Sequence, residues 1–317
     1  MDNNNNDYKE QNAASDVTEK NGTALKVMEE KDISQVTKHA KAGAITAKVL
    51  TYAFLIFMAL VVIFPFYWMI NSSLKTTYEY RMSTPTFWPH DVMWSNYTEA
   101  FRLANLGRLF LNTVLVGVVS TILSLIITIL SAFAFARLNF KGKNVLFAAL
   151  LATMMIPGEL FTITNYGTVN SLGWMNTYRV LIVPFLVSVF YIYLLRQNFL
   201  QIPNELYLAA KVDGTSDIKY LWKVMIPLSL PTIISITILK MMGAWNSYIW
   251  PRLVADDDAH KLITNGLRGA AFLDENGETN YPAQMAAVAL VSLPLFLVFV
   301  FLRKYIIRGV SRSGIKG

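Results

Sequence analysis

Residues 205–231 read Glu-Leu-Tyr-Leu-Ala-Ala-Lys-Val-Asp-Gly-Thr-Ser-Asp-Ile-Lys-Tyr-Leu-Trp-Lys-Val-Met-Ile-Pro-Leu-Ser-Leu-Pro, a charged island between stretches apolar enough to cross a bilayer. Within it Leu206, Ala209, Ala210 and Val212 alternate with charged positions, a pattern suited to one or two short amphipathic helices whose apolar stripe needs a partner. Gly214 permits a sharp turn, and Asp213, Thr215 and Ser216 are able to cap a following helix. The expected element is a helix-turn-helix elbow that stands out of a membrane protein as a docking surface.

The flanks carry the rest of the fold. A bilayer core of about 30 Å takes about 20 mostly apolar helical residues, because a helix satisfies its own backbone polar groups. Six stretches meet or approach that length: 49–70, 109–136, 145–163, 180–195, 224–250 and 284–302. The expected fold class is therefore all-α, a polytopic membrane protein of six transmembrane helices with the elbow, residues 203–223, between the fourth and fifth. Pro157-Gly158-Glu159 interrupts the third stretch, and Pro227, Pro231, Lys240 and Gly243 fall in the fifth. Composition agrees: 54% of the 317 residues are hydrophobic and 15% charged, too apolar for an ordinary soluble domain.

A net charge of +7 would suggest nucleic acid as the partner of a soluble chain, but here the cations gather in short segments between the apolar runs. Arg137, Lys141 and Lys143 form one group, Arg196, Lys211, Lys219 and Lys223 a second, and Arg303, Lys304, Arg308, Arg312 and Lys316 a third. With six spans all three fall on one side. The excess of Lys and Arg on cytoplasmic loops makes that side the inside, with both termini cytoplasmic and residues 71–108, 164–179 and 251–283 outside. Nucleic acid is not an expected partner; the lipid bilayer is. Residues 1–44, rich in Asn, Lys and Glu, cannot bury enough apolar surface to order themselves and read as a disordered cytoplasmic tail. The absence of cysteine excludes disulfides and thiolate metal sites, and His39, His90 and His260 lie scattered in polar regions, so no metal site is expected.

Ala209, Ala210, Asp213 and Gly214, followed after nine residues by Val224-Met225-Ile226-Pro227, resemble the EAA loop of binding-protein-dependent ABC importer permeases. The carbohydrate-uptake type, similar to the maltose-system inner-membrane subunit, is the nearest resemblance. Three positions depart from the family pattern: Leu208 stands for its Glu, Val224 for Ile and Ile226 for Leu. Glu205, one helical turn from Leu208, is the nearby carboxylate. Asn96-Tyr97, Asn112-Thr113, residues 132–137, Met155-Ile156-Pro157-Gly158, Trp245-Asn246, Trp250-Pro251 and the terminal Gly314-Ile315-Lys316-Gly317 extend the likeness over residues 48–317.

The resemblance implies that Glu205, Ala209, Ala210, Asp213 and Gly214 belong to a coupling helix that enters a cleft on an ATP-binding subunit. It implies four kinds of neighbour: a second permease subunit, two ATP-binding subunits that carry ATP and Mg, an extracytoplasmic solute-binding protein and the bilayer. This chain itself has no Gly-x-x-x-x-Gly-Lys-Ser/Thr cradle, since Lys141-Gly142-Lys143 lacks the preceding glycines, so it is not expected to be an enzyme or to hold a cofactor. It implies a bacterial cytoplasmic membrane and a sugar or oligosaccharide as cargo. For the translocation path the candidates are Lys240, a cation deep in a span, and Trp245 with Asn246; Tyr248 and Trp250 read rather as interfacial anchors. For contact with the binding protein they are Asp274, Glu275, Asn276, Gly277 and Glu278, together with parts of 71–108. Two alternatives stand beside this reading: a subunit of an ion-gradient-driven secondary transporter, for which Glu159 is the sole intramembrane carboxylate, and an ABC permease for a non-sugar solute.

Overall fold

The computed structural model describes residues 45–274 and 277–311, with side chains as far as Arg303. The expected tail 1–44, the terminal Gly314-Ile315-Lys316-Gly317, both termini, Glu275 and Asn276 lie outside the described residues. By internal contacts the chain divides into residues 1–67 and 68–317.

In the first unit lies most of helix α1, Ile45–Ser73, whose side chains from Ile45 to Phe66 are all exposed. Its composition is that of a helix solvated by lipid, with no charge between Lys48 and Lys75.

The regular elements of the second unit are helices, and among the described residues the sole β-type pairing is an isolated bridge between Leu273 and Thr279. Short helices α2, Thr77–Tyr80, and α3, Ser95–Leu103, follow the first span. The long α4, Leu106–Arg137, is the central post. One of its faces is small and polar, with Thr113, Gly117, Ser120, Thr121, Ser124 and Thr128 buried, while most of its large aliphatic residues, among them Leu111, Leu115, Ile122, Ile126 and Leu130, point outward. That inverted pattern is what a bilayer asks for: small residues let helices approach, and lipid takes the Leu and Ile. A Cβ on Gly117 would already sit 3.2 Å from Met241 Sδ on the neighbouring helix.

Three further spans are broken. Helix α5, Lys143–Thr153, meets the next helical segment, Gly158–Ser171, at 84°, with Pro157 at the break and α6, Thr162–Ser171, as its main part. Helix α7, Tyr178–Ile182, runs through a 3₁₀ turn, Val183–Phe185, and a 46° bend into α8, Val189–Leu200. The elbow helices α9, Asn204–Val212, and α10, Asp217–Tyr220, lead through a π-helical turn, Leu221–Met225, into α11, Ile226–Leu228. Pro227 and Pro231 have no N–H to give, and the chain turns by 80° at Ser229 before α12, Leu230–Trp245. The stretch 224–250, read from sequence as one span, is thus divided at Ser229 and ends as continuous helix at Trp245; Trp250 belongs to α13, Ile249–Val254. Helix α14, Ile263–Gly269, and the long α15, Tyr281–Ser311, complete the chain. Among the described residues three helices are long and apolar enough to cross a membrane, and counting each of the three bent pairs as one span makes six.

Helix α4 packs against α8 and α12, and α15 against α3 and α12. One core cluster joins the ends of α4 and α8 to the elbow through Phe133, Leu195, Phe199, Tyr220 and Met225, while Tyr207 and Ala210 lean on it. A second gathers Leu106, Leu109, Trp245 and Ile263 against Ala283, Ala286 and Ala287 of α15. Gly266 permits the closest approach there, because a Cβ at that position would lie 2.3 Å from Leu109 Cδ2.

Candidate coupling elbow, membrane cavity and outer face

The elbow is built by its own backbone. Helix α9 ends on Asp213, Gly214 takes φ +70°, and the Thr215 N–H returns to the Ala210 carbonyl at 2.8 Å while Gly214 N–H bonds Lys211 O at 3.0 Å. These two bonds form a Schellman closure, and the left-handed residue it requires is the one a glycine adopts at least cost. Ser216 then caps α10, its hydroxyl accepting from the Lys219 N–H. Asp213, expected as a cap of the second helix, instead closes the first.

Asp217 locks the two arms together. Its Oδ1 accepts from Tyr207 Oη at 2.7 Å and pairs with Lys211 Nζ at 2.7 Å, and the Tyr207 ring meets Tyr220 edge-on at 5.1 Å. The carboxylate holds the exposed Lys211 ammonium above its ordinary range. At the root, Arg137 reaches back from the end of α4: Nη2 donates to Phe199 O at 2.9 Å and to Ile202 O at 2.5 Å, and Nη1 to Asn204 Oδ1 at 3.2 Å. The sequence flags Arg137 as a cation at a span end; nothing in it distinguishes a loop charge from this buried bracket.

The apolar stripe expected at Leu206, Ala209, Ala210 and Val212 divides. Ala210 is half-buried, whereas no residue of α9 is fully buried. Val212 is 88% exposed, Leu208 55% and Ile218 57%, and Glu205, Ala209, Asp213 and Gly214 are exposed as well. Tyr207, which is not one of those four positions, supplies the inward anchor. A rigid two-helix element thus carries unpartnered aliphatic residues on its outer surface.

A second feature is a cavity of about 370 Å³ between α4, the bend of α7 and α8, and α12, lined in part by Ser120, Phe185, Ser188, Tyr191, Lys240 and Trp250. Lys240 Nζ donates to the Phe185 carbonyl at 2.5 Å, at the end of the 3₁₀ turn. The bend frees carbonyls from helical pairing, and such backbone is tolerated at membrane depth where protein or a polar cavity satisfies it. Trp250 is buried, contrary to its reading as an interfacial anchor: its Nε1 donates to Val180 O at 2.8 Å and its ring meets Phe185 at 5.6 Å. Of the three path candidates Lys240 lines this cavity. Trp245 is packed against Phe110 at 5.6 Å in the second core cluster, and Asn246 donates to the Met242 carbonyl of its own helix at 2.9 Å.

The third feature joins segments expected outside. Asp274 and Glu278 close a tight turn, with Asp274 N–H to Glu278 O at 2.8 Å, Glu278 N–H to Asp274 Oδ1 at 2.9 Å and Gly277 at φ +77°. Arg81, just past α2, pairs with Glu278, and Tyr80 stacks on Tyr281 at 5.4 Å. Behind them Glu79 is buried, accepting from Thr86 Oγ1 at 2.6 Å and from the His90 N–H. Burial pushes its carboxyl up, but those hydrogen bonds prevail and hold it below the usual range.

Asparagines tie the long loops to the spans. Asn96 Nδ2 donates to the carbonyls of Ser73 and Lys75, and Asn112 Nδ2 to those of Ala259 and Lys261 while its Oδ1 accepts from Tyr178. Asn265, which no sequence pattern marks, bonds Pro251 O and Ala255 O and accepts from Leu262 N–H.

Comparison with known proteins supplies the family. Residues 124–312 match the model of the binding-protein-dependent transport system inner membrane component. An arabinooligosaccharides transport system permease protein of Halalkalibacterium halodurans is 30% identical over 280 residues, covering 87% of this chain and 99% of that protein. A diacetylchitobiose uptake system permease protein of Streptomyces coelicolor is 30% identical over 271 residues, covering 83% of this chain and 87% of its own length. A sn-glycerol-3-phosphate transport system permease protein of Agrobacterium fabrum is 29% identical, covering 84% and 97%. In fold, a solved bacterial ABC transporter involved in the import of the acidic polysaccharide alginate superposes with a TM-score of 0.74 at 22% identity, over 81% of this chain and 95% of that one. The chain shares its fold with that transporter and belongs to the family of inner-membrane components of binding-protein-dependent transport systems.

Proposed function

We propose that this permease moves a sugar or oligosaccharide into the cell, taking it from an extracytoplasmic solute-binding protein and drawing its energy from ATP hydrolysed, with Mg, on separate subunits. The observation that carries the reading is the elbow: a two-helix element closed at Gly214, clamped by Asp217 and Arg137, with Leu208, Val212 and Ile218 presented outward. Two of the relatives named above are permeases for oligosaccharides, which supports the cargo class. In this reading the elbow faces the cytoplasm, both termini lie on that side, and Glu205, Ala209, Ala210, Asp213 and Gly214 form the contact with one of two ATP-binding subunits. A second, related permease completes the membrane part. Closure of the ATP-binding pair draws the two elbows together and rocks the bundle between inward and outward access, each bound ligand favouring one of the two states.

Asp274, Gly277 and Glu278, and with them Glu275 and Asn276 by sequence, are assigned to the face that receives the loaded binding protein, supported by the way Arg81 and Tyr80 join Glu278 and Tyr281 to the segment after the first span. Purification in mild detergent tests the whole assembly: a second membrane chain and an ATP-binding chain co-purify with this one. Recovery of the chain alone or as a homodimer would contradict it. Deletion of residues 274–278 is expected to reduce uptake at least tenfold while membrane insertion stays normal. Undiminished stimulation of ATP hydrolysis by the binding protein in the deletion would remove this turn from the contact.

A further inference from the structure

Lys240 is the eleventh of the sixteen residues of α12, more than a turn inside either end of a helix otherwise free of charge. A cation at that depth is costly unless it meets a partner or a water-filled space. The Phe185 carbonyl takes one of its three N–H donors, and among the described residues Lys240 forms no ion pair with a carboxylate. Among the described residues Lys240 is also the one charged side chain lining the cavity. Around it stand hydroxyl groups, from Ser120, Ser188, Tyr191 and Ser247, and an aromatic wall made by Phe185 and Trp250 at 84° to each other. A volume of about 370 Å³ falls at the small end of the range of about 300–1,000 Å³ over which ligand sites are found.

Each part of this lining answers a part of one kind of molecule. Hydroxyls suit a polyol, a flat aromatic face suits the C–H side of a pyranose ring, and the ammonium, with two donors left, suits an anion. We propose that the cavity is a selectivity site for an anionic sugar unit, its carboxylate or phosphate held by Lys240 Nζ during passage. The sugar part of the proposal rests on the carbohydrate reading given above; the anion part rests on Lys240 alone. A neutral sugar would leave the ammonium with no counter-charge, so the site discriminates by charge before it discriminates by linkage.

The test uses the purified complex with its co-purifying subunits in nanodiscs, without binding protein, and follows tryptophan fluorescence during titration with digalacturonate, galactobiose, glucose 1-phosphate and inorganic phosphate. The acidic sugars are expected to bind at least tenfold more tightly than galactobiose. Lys240→Gln, which keeps an N–H for the Phe185 carbonyl, abolishes that preference, and Lys240→Arg retains it. Which of digalacturonate and glucose 1-phosphate binds more tightly tells whether the anion is carboxylate or phosphate. Equal binding of charged and neutral sugars, a preference that survives in Lys240→Gln, or no binding of any probe would overturn the proposal. Inorganic phosphate that binds as tightly as glucose 1-phosphate, with the same dependence on Lys240, leaves the anion site standing and overturns the carbohydrate reading instead.

Discussion

A chain carrying Leu208→Asp and Val212→Asp together inserts and folds normally but loses its ATP-binding subunit on purification, and its uptake falls at least a hundredfold. Both side chains are exposed, Val212 at 88% and Leu208 at 55%, so the substitutions remove little packing within the chain. Their cost arises only when a partner covers the surface. Truncating one residue at the centre of an interface typically costs about 2 kcal/mol or more, and burying an unpaired carboxylate in its place costs several more. Two such changes exceed the stabilisation that a small two-helix contact provides. Retention of the ATP-binding subunit by the double variant would mean that the elbow docks by another face or not at all.

The second large effect is expected inside the chain. Arg137→Met removes the donors for Phe199 O, Ile202 O and Asn204 Oδ1 in a nearly solvent-free setting. A buried acceptor left unsatisfied costs about 1–3 kcal/mol; Phe199 O keeps the Ile202 N–H and Asn204 is exposed, so the loss falls mainly on Ile202 O, about 1–3 kcal/mol at the root of the elbow. Thermal unfolding in detergent shifts down, and amide exchange in α9 quickens while that in the middle of α4 does not. Arg137→Lys restores little, because an ammonium on a single stem does not span three acceptors that a planar guanidinium reaches together. Exchange in α9 unchanged from wild type would show that Asp217 and the Tyr207–Tyr220 contact hold the elbow without Arg137.

These expectations show where the sequence was legible. The elbow announced itself because its determinants are local: a left-handed residue at Gly214, a cap at Ser216 and charged positions between apolar runs. The long apolar runs of α1, α4 and α15 were readable for a similar reason, since lipid selects on composition alone. The broken spans were less so. Pro157, Pro227 and Pro231 mark where hydrogen bonds must be missing, but whether a chain kinks, bends by 80° or continues depends on what satisfies the freed carbonyls. At the bend between α7 and α8 that partner is Lys240, 55 residues away. Trp250 and Asn265 were opaque on the same ground: an indole near a span end or a lone amide becomes a buried bracket only through partners distant in sequence. The division of the apolar stripe on α9 was also hidden, because Tyr207 replaces an aliphatic residue as the inward anchor and sets Leu208 and Val212 free for another surface.

The claim that matters most is that this elbow touches the ATP-binding subunit, and the chain is well suited to a direct measurement because it contains no cysteine. Val212→Cys and Lys240→Cys are made singly, and each is treated in membranes with a short bismaleimide alongside the co-expressed ATP-binding partner. The account predicts a cross-linked heterodimer from Val212→Cys, diminished when Leu208→Asp is added, and none from Lys240→Cys. No cross-link from Val212→Cys, with the cysteine shown to be reactive, would contradict it.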